Sequence, residues 1–192
     1  MLDIAVKFLA TELNTFLTAR GAVDSSGTGS AVLTRIVADT GVWEVPTDQV
    51  GVALVNVEEE RATRPQLPQS VYSDGGQVLL EPELRVNLHL LFAANFHNYE
   101  AGLRQISHVL TFFQARPLFT RERYPGLDAR IERLGVDLLS LTYEQLNQLW
   151  AFVGAKQLPS AVYRARLVAL QDREPAAIHP PITEVNAEVD LL

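Results

Sequence analysis

The chain has 192 residues, 47% of them hydrophobic and 20% charged, which is enough apolar material for the core of one globular domain with appendages. It contains no cysteine, so disulfide frameworks, thiolate metal sites and cysteine nucleophiles are excluded. A net charge of −7 argues against nucleic acid as the main partner, because phosphate binding rests on clustered cations. The first residues open directly into a helical pattern broken by Asp3 and Lys7, unlike a signal peptide. No run approaches the ~18 apolar residues of a spanning helix. The expectation is a protein made in the cytoplasm, without direct membrane insertion.

Leu2, Ala5, Val6, Leu9, Leu13, Phe16 and Leu17 recur at helical spacing and predict a helix over 2–19, stopped by Gly21. Residues 24–30, rich in Ser and Gly, read as a flexible linker. A β-branched strand is expected over 31–37, and Trp43 is expected to be an exposed or interface aromatic. Residues 49–57 predict a strand apolar on both faces, as a covered central strand would be. It runs into Glu58, Glu59, Glu60, Arg61 and Arg64. Residues 61–83 read as the longest irregular stretch before the tail, and a loop of that length is usually functional or partly disordered.

Arg85 to Phe119 is the unit around which the rest is expected to pack. Val86, Leu88, Leu90 and Phe92 alternate with Arg85, Asn87 and His89, giving a strand with one core face and one polar face. A helix follows over 98–114, about 25 Å long, with Tyr99, Leu103, Ile106, Leu110 and Phe113 as its expected buried stripe. That stripe leaves Phe112 to pack on another element or another subunit. Pro117 ends the helix, and Leu134, Val136 and Leu138 mark a strand over 130–139. Thr142 and Gln145 have capping-box spacing ahead of a short helix over 142–153, with Leu146, Leu149, Trp150 and Val153 as its stripe and Gly154 as its stop. A last strand alternates Tyr163, Ala165, Leu167 and Ala169 with Arg164 and Arg166. From Gln171 the chain is expected to form an extended tail without helix or strand, dotted with Ile178, Ile182, Val185, Val189, Leu191 and Leu192. Such a tail cannot bury itself and suits docking on a neighbour.

The candidate chemistry is thin. If the strand persists, Glu58 and Glu60 share one face and Glu59 opposes them, which fits either a hard-metal or acid/base pair or a charge cluster with Arg61 and Arg64. The cluster is favoured because no other motif supports metal chemistry. His89, His97, His108 and His179 lack the spacing of a metal pair. No phosphate loop, dinucleotide fingerprint or nucleophile elbow is present. No enzymatic activity and no cofactor are therefore expected. Arg164 and Arg166 read as partners for carboxylates more readily than as a phosphate grip.

Five segments occur in one family's order: Val52 to Glu60 with Arg64, Val86 to Ala94 with Tyr99 and Glu100, Phe112 to Gln114, Leu141 to Trp150, and Leu158 to Tyr163. They resemble the N-terminal domain of the cap, or tail-terminator, proteins of phage-tail-like contractile injection systems, the group of the Photorhabdus virulence cassette and antifeeding prophage particles. Pro65 stands where that family often has asparagine.

The resemblance, over roughly residues 1–170, implies a structural protein with an α/β fold like that of phage tail terminators. It implies six copies in a ring that stops the inner tube and anchors the last sheath layer, with tube and sheath proteins of the same particle as partners. The combined expectation is an α/β (α+β) domain over 1–170 and an arm over 171–192. Its mixed, largely antiparallel sheet would have strands near 31, 50, 85, 132 and 162. Expected assembly contacts are Glu58, Glu59, Glu60, Arg61, Arg64, Phe112, Gln114, Arg164, Arg166, Ile182 and Val185. The rival readings are an adaptor that binds through its tail and a small metal-dependent hydrolase using Glu58 and Glu60.

Overall fold

In the computed structural model, backbone is described for residues 1–60, 69–73, 76–80, 84–170 and 177–179, and side chains for 1–60 and 84–166. The first helix, α1 (Leu2–Ala19), buries Ala5, Val6, Leu9, Leu13, Phe16 and Leu17, together with Phe8 and Ala10. Gly21, at φ 66°, lets the chain turn out of it. There the Gly21 amide donates to Thr18 O and the Ala22 amide to Leu17 O, the paired bonds of a Schellman stop.

The stretch 24–30, expected to be a flexible linker, is an ordered turn. The Asp24 carboxylate accepts from the Ser26 and Thr28 amides, each at 2.9 Å, and the Gly29 amide donates to Asp48 O at 2.7 Å. Asn14 of α1 then exchanges two side-chain bonds with Ala31, at 2.7 and 2.8 Å, and so pins the next strand to the helix.

That strand, β1 (Ala31–Leu33), is shorter than the 31–37 expected, because the chain leaves the sheet to cross one face of it. On this crossing Trp43 is half-buried against a core cluster and pairs through Val37, so it is not a free aromatic. Next come β2 (Gln49–Glu59), β3 (Gln69–Ser73), β4 (Gly76–Leu80) and β5 (Leu84–Asn95). They are followed by α2 (Tyr99–Ala115), β6 (Leu118–Thr120), β7 (Arg133–Leu138), α3 (Tyr143–Val153), β8 (Ser160–Leu170) and β9 (Ala177–His179).

Six strands form one sheet in the order β1-β2-β5-β8-β7-β6, antiparallel except for β1 against β2. A second sheet has the order β3-β4-β9. The 61–83 stretch is thus no plain loop, since β3 and β4 pair across it as a hairpin. The tail likewise contributes a strand, β9, which pairs with β4. Both were hidden because strands of five and three residues are too short to give a clear periodic signal.

The large sheet is covered on both faces. On one lie α1 and α2, with Val50, Val52, Leu88, Leu90, Phe92, Phe113, Leu134 and Tyr163 among the buried side chains. The other carries a smaller core of Ile36, Val45, Ala53, Leu91, Ala93, Trp150 and Val162 beneath α3 and the 34–48 crossing. Only the first half of β2 is buried on both faces. From Leu54 onward most of its side chains are exposed.

The α2 stripe differs in phase from the expected one. Gly102, Gln105, Ile106, Val109, Phe112 and Phe113 are buried, while Tyr99 is 69% and Leu103 45% exposed. Two local features rotate the helix. A Cβ at position 102 would already touch Ala94, Phe96 and Pro159, at 3.6–3.8 Å, so the glycine side sits close on the sheet. The Gln105 amide is clamped to the Gly29 carbonyl. At α3, Thr142 and Gln145 form both bonds of the capping box, and Gly154 adopts φ 78° after the last turn.

Candidate functional site

The α3-side face of the sheet divides into an apolar half under α3 and a charged half beyond it. What aligns the charged half is a one-residue bulge. Leu54 stands opposite Leu90, but Asn56 stands opposite His89, so Val55 is an extra residue. From that point the alternation of β2 is shifted by one, and Glu58 pairs with Asn87 while Glu59 pairs with Val86. Glu58 and Glu60 therefore share the face of Asn87 and His89, with Glu59 opposed, as the sequence spacing predicts.

The contacts follow from this register. His89 Nε2 lies 3.2 Å from Glu58 Oε2, and Asn87 Nδ2 donates to Glu60 Oε2 at 3.1 Å. His89 stands opposite Arg164 on β8, which stands opposite Asp137 on β7. The Asp137 carboxylate is 2.6 Å from Arg166 Nε and 4.0 Å from Arg164 Nη2. A belt of charged and polar groups thus crosses four strands. Asn87 is only 3% exposed, yet its Oδ1 has no hydrogen-bond partner among the described residues, and neither does Arg164 Nε.

The structure brings Glu58, Glu60, Arg164 and Arg166 onto this belt. Gln114 is exposed at the end of α2. Phe112 is a correction: it is 1% exposed and packs within the chain, with ring centroids 4.8 Å from Phe113, 5.3 Å from Phe16 and 6.1 Å from Phe119. The rotation of α2 turns it inward and leaves no surface for a neighbouring subunit. Arg61, Arg64, Ile182 and Val185 lie outside the described residues.

Sequence reasoning missed a groove at the other edge of the sheet. Leu110, Phe113, Gln114, Pro117, Val136, Leu138 and Tyr163 line a cavity of about 550 Å³ between α2 and β7. Burial there pushes the Tyr163 phenol up to about 12. A second hollow of about 260 Å³ adjoins it through Leu110 and Leu138 and reaches Leu141 and, on α3, Leu146. The available signal was the apolar repeat of α2 itself, because its Tyr99, Leu103 and Leu110 positions are those the chain leaves exposed or half-exposed.

Among the described residues, no three His, Asp or Glu side chains are grouped to hold a metal ion. No described helix is long and apolar enough to cross a membrane. What the surface offers is a set of modest polar pairs and an apolar groove, the ingredients of contacts between chains.

The sequence profile of a family described as the Pvc16 N-terminal domain matches residues 6–184. No curated protein matches the sequence. Among solved structures, the sheath/tube terminator of PVC, an extracellular contractile injection system, in its extended state is similar with a TM-score of 0.64 at 13% identity. The match covers 97% of this chain and 64% of that one. The tube-terminating cap of the anti-feeding prophage is similar with a TM-score of 0.59 at 16% identity, over 94% of this chain and 60% of that one. Likeness at such identities establishes a shared fold, and the chain spans less than two thirds of either terminator's length.

Proposed function

The chain belongs to the Pvc16 N-terminal domain family, and from that premise we propose that it caps the end of a contractile injection particle as a homo-hexameric ring. The ring ends the inner tube and anchors the last layer of sheath. The observation that carries this reading is that nearly the whole chain, 97% and 94% of it, takes the fold of two tube-terminating proteins. The chain would be made in the cytoplasm and act at the particle end, with copies of itself, the tube and the sheath as its partners.

The charged belt suits such a role. A terminal ring must keep its hold while the sheath shortens, and many modest contacts spread over a sheet face distribute that load. The belt carries Glu58 and Glu60 on its β2 side and Arg164 and Arg166 on β8, one strand in from Asp137, so rotational symmetry can bring the carboxylates of one copy against the arginines of a neighbour. Residues 171–192 serve as an arm that adds interface area the body lacks.

The test is the solution mass of the purified chain together with its position in particles by microscopy. A closed ring of about six chains at particle ends is expected. A strict monomer, or a protein found along the particle and not at its ends, would refute the reading.

A further inference from the structure

The outer edge of β7 is covered only in part. β6 pairs with it as far as Gly135, and the Val136 amide donates to Pro117 O at 2.8 Å. The Leu139 amide points the opposite way, to Val162 O of β8 at 2.8 Å. Hydrogen-bonding direction alternates along an antiparallel strand. The backbone amide and carbonyl of Leu138 therefore point outward, where no described strand lies. The Leu138 side chain is 52% exposed, and the edge overlooks the groove floored by Leu110, Phe113 and Tyr163. A free strand edge beside an apolar groove is the receiving half of strand addition, in which backbone pairing supplies affinity and alternate side chains fill the pocket.

The chain also carries a segment with the matching pattern. Val185, Ala187, Val189 and Leu191 fall on one side of an extended stretch, and Asn186, Glu188 and Asp190 on the other. Residues 180–192 lie outside the described residues and contain three carboxylates and no Lys or Arg. The charge fits a definite orientation. Val136 and Leu138 alternate with Asp137, so an added strand with its apolar side over the groove turns its carboxylates to the belt face, where Asp137 is on the adjacent strand and the Arg164 and Arg166 side chains reach across to it from β8. There Arg164 and Arg166 share one carboxylate, Asp137, and Arg164 Nε has no partner among the described residues. An extended stretch of that length reaches roughly 40 Å, about the width of a small domain and enough to cross to a neighbour.

We infer that residues 185–191 of one copy add as a strand to the open edge of β7 in the next copy, with their apolar side chains in the groove between α2 and β7. This rests on the ring reading above, and it assigns the contact that links each subunit to the next.

The absence of cysteine from the chain makes a clean test. Leu138→Cys and Val189→Cys are made in separate chains, mixed, weighed in solution and then oxidised. Because a disulfide requires Cβ atoms about 4 Å apart, the mixture should yield a covalent heterodimer about tenfold or more faster than Leu138→Cys mixed with the control Glu122→Cys. Adding Glu188→Gln and Asp190→Asn to the Val189→Cys chain should slow that reaction. Ring-sized particles that give no excess of heterodimer overturn the docking and leave the ring standing. A monomer overturns both. In a chain carrying both cysteines, an intramolecular disulfide in place of a covalent ladder shows the segment folding onto its own edge, which also overturns the inference.

Discussion

Replacing Phe112 with alanine separates a core residue from an assembly contact. The ring is 1% exposed, contacts three other phenylalanines, and lies 5.2 Å beneath the Arg116 guanidinium. Burying such a side chain contributes about 2–3 kcal/mol by transfer. The cavity left in a closely packed cluster raises the total cost of Phe→Ala to about 3–5 kcal/mol. That is a large share of the 5–15 kcal/mol, roughly, that holds a domain folded. Phe112→Leu, which keeps most of the volume, should cost only about 1–2 kcal/mol. Urea unfolding followed by the fluorescence of Trp43 and Trp150 measures both. Protein concentration must be held fixed, because assembly adds stability by mass action. A loss below about 1 kcal/mol for the alanine variant, with a smaller assembled mass, would return Phe112 to the surface and refute the packing described for α2.

Two further outcomes concern α3 and the groove. Thr142→Ala removes the acceptor for the Gln145 amide and should lower stability by about 1 kcal/mol, read as a shift in the urea midpoint with unchanged slope. Tyr163 holds its proton more tightly folded, near 12, than in the unfolded chain, near 10. Its contribution is therefore complete below pH 10 and is lost as pH rises toward 12, at up to about 1.4 kcal/mol per pH unit. Tyr163→Phe should remove that alkaline slope, and unfolding midpoints from pH 9 to 12 for the two proteins check it.

Long elements with strong local signals were legible in the sequence. The three helices begin and end within about a residue of their expected bounds, and the capping box at Thr142 is made as its spacing implies. The phase of α2 was not legible, because it depends on two polar or small residues. Gly102 and Gln105 carry no hydrophobic signal, yet close approach and a buried hydrogen bond to a distant turn place them inward. The charged residues of the belt were found individually, but not as a belt. Glu58, His89, Arg164 and Asp137 are up to 106 positions apart, 58 to 164, and only strand register joins them. The open edge of β7 was invisible for a related reason, since whether an edge is covered is a property of its neighbour's length.

The bulge at Val55 has a consequence for how such a surface can change. One strand here answers to two masters: its first half must match the core on both sides, and its second half sets which charges the sheet displays. The extra residue uncouples them. Removing it would leave the Val50 to Ala53 pairing intact while exchanging the facing of Glu58 and Glu60 with that of Glu59. A single deletion would thus rewrite the outward pattern of this face at the cost of one half-buried valine beside the smaller core, and leave the fully buried half of the strand unchanged.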